Sequence, residues 1–271
     1  MTDAETHPPD PADLLDLARG LATRASDHLT VAVQQAHHES STKTSATDLV
    51  TQTDRAVEQL IVEGLRQARP HDGIDGEEGA RTEGSSGVHW FVDPIDGTTN
   101  FWYGLPGFNV SIAAAVDDTV VAGVVVDVLH REVFTATAGG GAHVNGRAIH
   151  CTDRDDLALA LVTTGFSYEA ERRRRQAEVL TRVLPRIRDI RRLGAAASDL
   201  CQVACGRVDA FWEKGLSTWD YAAGALIARE AGARVGDLSG GAPSSAMTVA
   251  AAPPIFDALV ALLTESGAAD A

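Results

Sequence analysis

A strand that halts in mid-sequence on two aspartates constrains this chain more than any other feature. Val88, Trp90, Phe91 and Val92 read as a buried strand, which Pro94 and Gly97 end in a sharp turn. Asp93 and Asp96 therefore stand at the carboxyl end of a strand, a common address for ligands in layered structures. Two carboxylates on one stiff turn repel each other unless a cation lies between them, and an all-oxygen donor set favours a hard ion such as Mg²⁺. Gly97, Thr98 and Thr99 follow with backbone N–H groups and hydroxyls, and a helical turn starting here would offer an anion site. Taken alone the string is equally an ordinary turn, because Asp, Pro and Gly are the residues that turns use.

The chain has 271 residues, enough for a large core and beyond the usual size of one domain, so one large or two intimate domains are expected. We divide it into a tail over 1–9, an α+β half over 10–150 carrying most of the acidic candidates, and an α/β half over 151–271. A formal charge of -15 argues against nucleic acid or an anionic membrane as the main partner. The same charge opposes an anionic substrate unless bound divalent cations invert the local sign. The start lacks a basic segment followed by an apolar one, and the most apolar stretch, Val120 to Leu129, is too short to span a bilayer, so a cytoplasmic location is the expectation. Cys151, Cys201 and Cys205 have no metal-site pattern; Cys201 and Cys205, one helical turn apart, read as small buried thiols.

In chain order, Asp10 and Pro11 cap a helix whose Leu14, Leu15, Leu17, Ala18, Leu21 and Ala22 recur at helical spacing. Lys43, one of two lysines, lies in a polar interruption. A second helix begins near Thr53, which puts Asp54 in its first turn, where a dipole-compensating acid is the plain reading. Glu77 and Glu78 form a glycine-flanked pair that reads as a solvated loop. Val110–Val116, Val120–Val128 and Glu132–Thr137 are strand-like, with a hairpin signal at Asn145 and Gly146, so the first half carries antiparallel sheet. The glycines at 139–141 read as a turn. From 151 onward the texture alternates: strands at 157–163, 187–192, 208–213 and 248–252, helices at 170–184, 195–204, 219–232 and 255–263. This predicts a mixed, mostly parallel second sheet. Arg172 to Arg175 read as a solvated helix face, and Asp220 as a helix-start acid.

The run D-P-I-D-G-T-T-N-F, with G-E-E upstream and W-D-Y-A-A-G near the carboxyl end, resembles the signatures of the inositol monophosphatase family of Mg²⁺-dependent phosphatases. R-R-L-G-A-A-A-S-D-L resembles the substrate-facing segment of its bacterial members. The resemblance runs from Lys43 to Gly232. It implies a layered α-β-α-β-α sandwich of the sugar phosphatase type, commonly homodimeric and often inhibited by lithium, with two or three Mg²⁺ per site. Glu77, Asp93 and the Ile95 carbonyl would hold one ion, and Asp93, Asp96 and Asp220 a second. Gly97 and Thr98 would bind phosphate, together with Asp96 and Asp220 at the substrate. Arg191, Ala196 and Glu213 would contact the alcohol, and Lys43 joins them as a candidate. Glu77, assisted by Thr98 and Asp54, would deprotonate the attacking water.

Thr99-Asn100-Phe101 resembles the inositol phosphate branch rather than the nucleotide branch, which continues with K-E-F. Hydrolysis of inositol 1-phosphate is therefore the expected activity; hydrolysis of histidinol phosphate or of another sugar or polyol phosphate, or a regulatory protein-docking role, is the alternative. Trp102, Tyr103, Ser217 and Thr218 depart from the common pattern. The rim is expected to be purely acidic, with no stacking platform for a nucleobase.

Overall fold

The computed structural model describes residues 9–39 and 46–271, with side chains for 9–33 and 52–271; Lys43 lies outside the described residues. Two helices open the chain, α1 (Pro11–Glu39) and α2 (Ala46–Ala68). The Ala12 N–H donates to Asp10 Oδ1 at 2.9 Å, so Asp10 caps α1 as its sequence suggests. Then come β1 (Gly73–Gly76), β2 (Arg81–Thr82), β3 (Val88–Asp96), the short α3 (Thr98–Tyr103), β4 (Asn109–Val116), β5 (Thr119–Asp127), β6 (Glu132–Thr137), β7 (Ala142–Val144) and β8 (Arg147–Ala148). The second half holds β9 (Leu161–Thr164), α4 (Ala170–Val183), β10 (Asp189–Arg191), α5 (Ala196–Ala204), β11 (Ala210–Glu213), α6 (Thr218–Glu230), β12 (Arg234–Gly236), β13 (Thr248–Ala251) and α7 (Pro253–Glu265).

The strands form two sheets, ordered β2-β1-β3-β4-β5-β6-β7-β8 and β10-β9-β11-β13-β12. In the first, only β1 and β3 run parallel; the rest is antiparallel. The β7–β8 hairpin turns on Asn145 (φ 49°) and Gly146 (φ 75°), the pair of left-handed residues that a type I′ turn needs. The second sheet is mixed, parallel across β10-β9-β11 and antiparallel across β11-β13-β12.

Side-chain alternation along the first sheet decides the layering. Val110, Ile112 and Ala114 of β4 join Val124 and Val126 of β5 in a core with α1 and α2, while Ala113, Val125 and Phe134 point to the opposite face, into a core with α5 and α6. On the far side of the second sheet a third core gathers Val162, Trp212 and Val249 with Val179 and Val183 of α4 and Ile255, Leu259 and Leu263 of α7. The layers are thus α1/α2, sheet, α5/α6, sheet, α4/α7. The central helices sit close: a Cβ on Gly123 of β5 would come within 3.0 Å of Ala223 Cα in α6.

Two local expectations need correction. Helix α2 starts at Ala46, so Asp54 lies in its third turn with 4% exposure and is not a first-turn acid. Residues 157–159 form a 3-10 turn rather than the start of a strand, because Asp156 accepts the Ala158 N–H at 2.9 Å and caps it.

Candidate active site

Strand β3 ends where Asp93 (1% exposed), Ile95 and Asp96 are packed against the structure on both sides. Gly97 then takes φ 89°, and a Cβ there would stand 2.7 Å from the Gly107 carbonyl oxygen, so only glycine makes the turn into α3. Asp93 Oδ1 accepts the Ile95 N–H at 3.0 Å and the Thr98 hydroxyl donates to the Ile95 carbonyl at 3.0 Å. Asp96 is held from across the molecule: Asn109 Nδ2 and the Ala197 N–H donate to its Oδ2, both at 2.8 Å, and the Ala196 N–H to its Oδ1 at 3.1 Å. The first turn of α5 is thereby fastened to the end of β3. Asp220, in the first turn of α6, accepts the Ser217 N–H at 2.7 Å.

Glu77, Asp93, Ile95, Asp96, Gly97, Thr98, Ala196, Glu213 and Asp220, far apart in sequence, all line one cavity of about 290 Å³. Burial, reinforced by the charges of Glu77, Asp96 and Asp220, pushes the Asp93 carboxyl well above the ordinary range. Burial and the Asp96 charge raise Asp220 to about 7 against the Ser217 N–H, which opposes the rise. Glu77 opens onto the cavity, yet partial desolvation raises it too, opposed by a hydrogen bond with Asp93. Asp96 is raised by burial, with Asn109 and the N–H groups of Ala197, Ala196 and Ser198 working the other way. Among the described residues no three such side chains close into a preformed metal cage. The donor set nevertheless fits hard divalent cations: all oxygens, mutually repelling, with Asp93 Oδ2, Asp220 Oδ1 and the Glu77 carboxylate not used by the backbone donors above.

A match to the inositol monophosphatase family spans residues 10–268. The chain belongs to this family. An inositol-1-monophosphatase of Mycobacterium bovis is 50% identical over 233 residues, 82% of this chain and 80% of its own length. A Nus factor SuhB of Pasteurella multocida is 41% identical over 246 residues, 89% of this chain and 92% of that protein. The solved structure of Mycobacterium tuberculosis SuhB superposes with a TM-score of 0.84 at 43% identity, covering 97% of this chain and 100% of that one. The layered sandwich is therefore the family fold, and the chain is a member of a phosphatase family. No described helix is long and apolar enough to cross a membrane.

Within the inositol monophosphatase frame several single-residue expectations change. Arg191 lies outside the cavity, exposed and paired with Asp189 at 2.7 Å; its neighbour Arg192 lines the cavity instead. The Ala196 N–H is committed to Asp96, so it is not free to meet an alcohol. Asp54 is absent from the lining; it sits behind Glu77 and Glu78, and burial with their charges raises it to about 8. The rim is not purely acidic, since Phe166, Tyr168, Arg172, Arg192 and Lys214 all line it, and Arg172 leaves the solvated face predicted for 172–175. Glu58 was missed entirely: its carboxylate accepts the N–H groups of Glu78 (2.9 Å) and Ala80 (3.2 Å) and so fixes the turn that carries Glu77. Its spacing of four from Asp54 on α2 was the available signal.

Proposed function

We propose that the chain is a Mg²⁺-dependent phosphomonoesterase acting on polyol phosphates, with inositol 1-phosphate the first substrate to test. The observation that carries this is the convergence of Glu77, Asp93, Asp96 and Asp220 on one cavity, from the ends of β1 and β3 and the start of α6. Glu77, Asp93, the Ile95 carbonyl, Asp96 and Asp220 would hold the cations, which when bound lower the pKa of water and neutralise charge on a transferring phosphoryl group. The Glu77 carboxylate takes the proton of the attacking water. The Thr98 hydroxyl, its proton given to Ile95, accepts from that water and holds it in line. Gly97 and Thr98 meet the phosphate, and Glu213, acceptor-only when ionised, pairs with a hydroxyl of the alcohol. No covalent phospho-enzyme is required, because positioning and charge stabilisation carry this reaction class.

The test is a panel of inositol 1-phosphate, glycerol 2-phosphate and histidinol phosphate assayed with and without Mg²⁺. The inositol ester should give the highest kcat/KM and every rate should vanish in EDTA. Histidinol phosphate ahead by tenfold would overturn the polyol assignment alone. The similarity to a Nus factor favours one second reading, a regulatory protein; absence of Mg²⁺-dependent turnover across the panel would favour it over the first.

A further inference from the structure

Strand β11 ends with its side chains divided between two compartments. Phe211 packs in the core with α5 and α6, and Trp212 in the core with α4 and α7. The same alternation sends Glu213 toward the active-site cavity and Lys214 toward the segment that follows α7. Lys214 lies one residue beyond the last ladder pair, Glu213 with Thr248, and the next backbone tie is the Gly215 N–H to the Ser245 carbonyl at 2.8 Å. Between those anchors the Lys214 ammonium donates to the Ala269 carbonyl. Burial and the Arg172 charge press that ammonium toward its neutral form, and Asp270 of the same segment opposes them.

The segment is shaped to reach that position. The Ala268 N–H donates to the Leu263 carbonyl at 3.0 Å and the Gly267 N–H to the Thr264 carbonyl at 3.1 Å, with Gly267 at φ 79°. This is a Schellman turn, which satisfies the last carbonyls of a helix and reverses the chain through a left-handed residue. Its apolar pair, Leu263 and Ala268, is buried in the third core, and Ala271 is 6% exposed. Arg182 of α4 donates to the Ser266 carbonyl at 3.4 Å. Between this turn and the active site remains a cavity of about 20 Å³, lined by Ala268 and Ala271 on one side and by Gly165, Phe166, Glu213 and Lys214 on the other. It has room for about one water. The same four residues line the active-site cavity, so the wall between the two is a single residue thick. Gly165 lets Glu213 lie close: a Cβ there would stand 2.0 Å from a Glu213 carboxylate oxygen.

We infer that the turn at 266–271 is a strut behind the active-site wall and that Lys214 is its tie, a positioning residue that keeps Glu213 directed at the alcohol of the substrate. This rests on the phosphatase reading above, in which Glu213 pairs with a hydroxyl. The strut acts on the alcohol end and not on the proposed cation donors, so its loss should raise KM and leave kcat nearly unchanged.

Gly267→Val tests it, because a Cβ there meets nothing within 4 Å and the substitution acts by straining the left-handed turn. Gly240→Val, at φ 86° and equally open, is the matched control in a turn that lines neither cavity. With inositol 1-phosphate and saturating Mg²⁺, Gly267→Val should raise KM at least fivefold with kcat within twofold, and Gly240→Val should leave both unchanged. Lys214→Met should raise KM as well, and adding Gly267→Val to it should change KM by less than twofold, since both break one tie. Hydrogen exchange gives a readout that needs no turnover: the amides of 213–215 should exchange at least tenfold faster in Gly267→Val than in the parent or the control. Unchanged exchange there, an unchanged KM in Gly267→Val, or independent effects of the two substitutions overturns the strut and leaves the phosphatase reading in place. Faster exchange at 213–215 in a protein that hydrolyses no ester of the panel supports the strut and removes the phosphatase reading beneath it.

Discussion

Asp54→Asn should make the metal-free protein more stable while slowing catalysis. Asp54 is 4% exposed, and its pKa rises from 3.8 to about 8, first through burial and then through the charges of Glu78, Glu77 and Glu58. A carboxyl raised in the folded state is an unfavourable contributor above its unfolded pKa. The penalty starts near pH 3.8, grows by about 1.4 kcal/mol per pH unit, and is complete near pH 8. The ceiling is roughly 6 kcal/mol, and relaxation with water entry brings the realised penalty below it. Asparagine keeps the shape, carries no charge, and can donate to the surrounding carboxylates. Urea unfolding in EDTA from pH 4 to 8.5 should show the variant and parent converging at the acid end, with the variant ahead at pH 8. Added Mg²⁺ should shrink the gap by offsetting the negative charges nearby. A variant that is less stable than the parent at every pH, with a difference independent of pH, would refute the argument.

Two substitutions address the proposed cation donors directly. Asp93→Asn should reduce hydrolysis of inositol 1-phosphate by more than tenfold at saturating Mg²⁺, at least about 1.4 kcal/mol of barrier; a smaller loss denies this carboxylate a bridging role. Asp220→Ala should raise the Mg²⁺ concentration for half-maximal rate by tenfold or more while unfolding within a few degrees of the parent. A large fall in Tm instead would make its bond to the Ser217 N–H the main role, a cap interaction of about 1 kcal/mol underestimated here.

The fold was legible where periodicity is local. The apolar runs of β4 and β5 and the Asn145-Gly146 turn can be read without knowing what lies beside them, and the structure has them in place. The start of α2 was not legible, because Ser40 to Thr47 carries no apolar stripe; the error moved Asp54 from mid-helix to a cap and hid its partnership with Glu58. Strand direction in the second sheet was also beyond a local pattern: β13 reads like β9, and only its antiparallel pairing with β11 sets it apart.

The site divides along the same line. Asp93, Asp96 and Gly97 are constrained by one turn, so the nine residues from Asp93 to Phe101 announce them. Arg191 and Arg192 are adjacent and chemically identical, and sequence offers no means of choosing between them. The choice is made by Asp189, two residues back, which draws Arg191 outward, and by Gly194, which leaves Arg192 the space beside the cavity. Arg172 belongs to a run of four arginines that look alike until α4 starts at Ala170 and turns one of them onto Gly215. Glycines at 194 and 215 were therefore informative about which cations face inward, but only jointly with residues that the fold brings to them. A chain can encode a pair of carboxylates in a single turn, whereas the cations lining the same cavity, Arg172, Arg192 and Lys214, reach it only once β10, α4 and the loop after β11 have met.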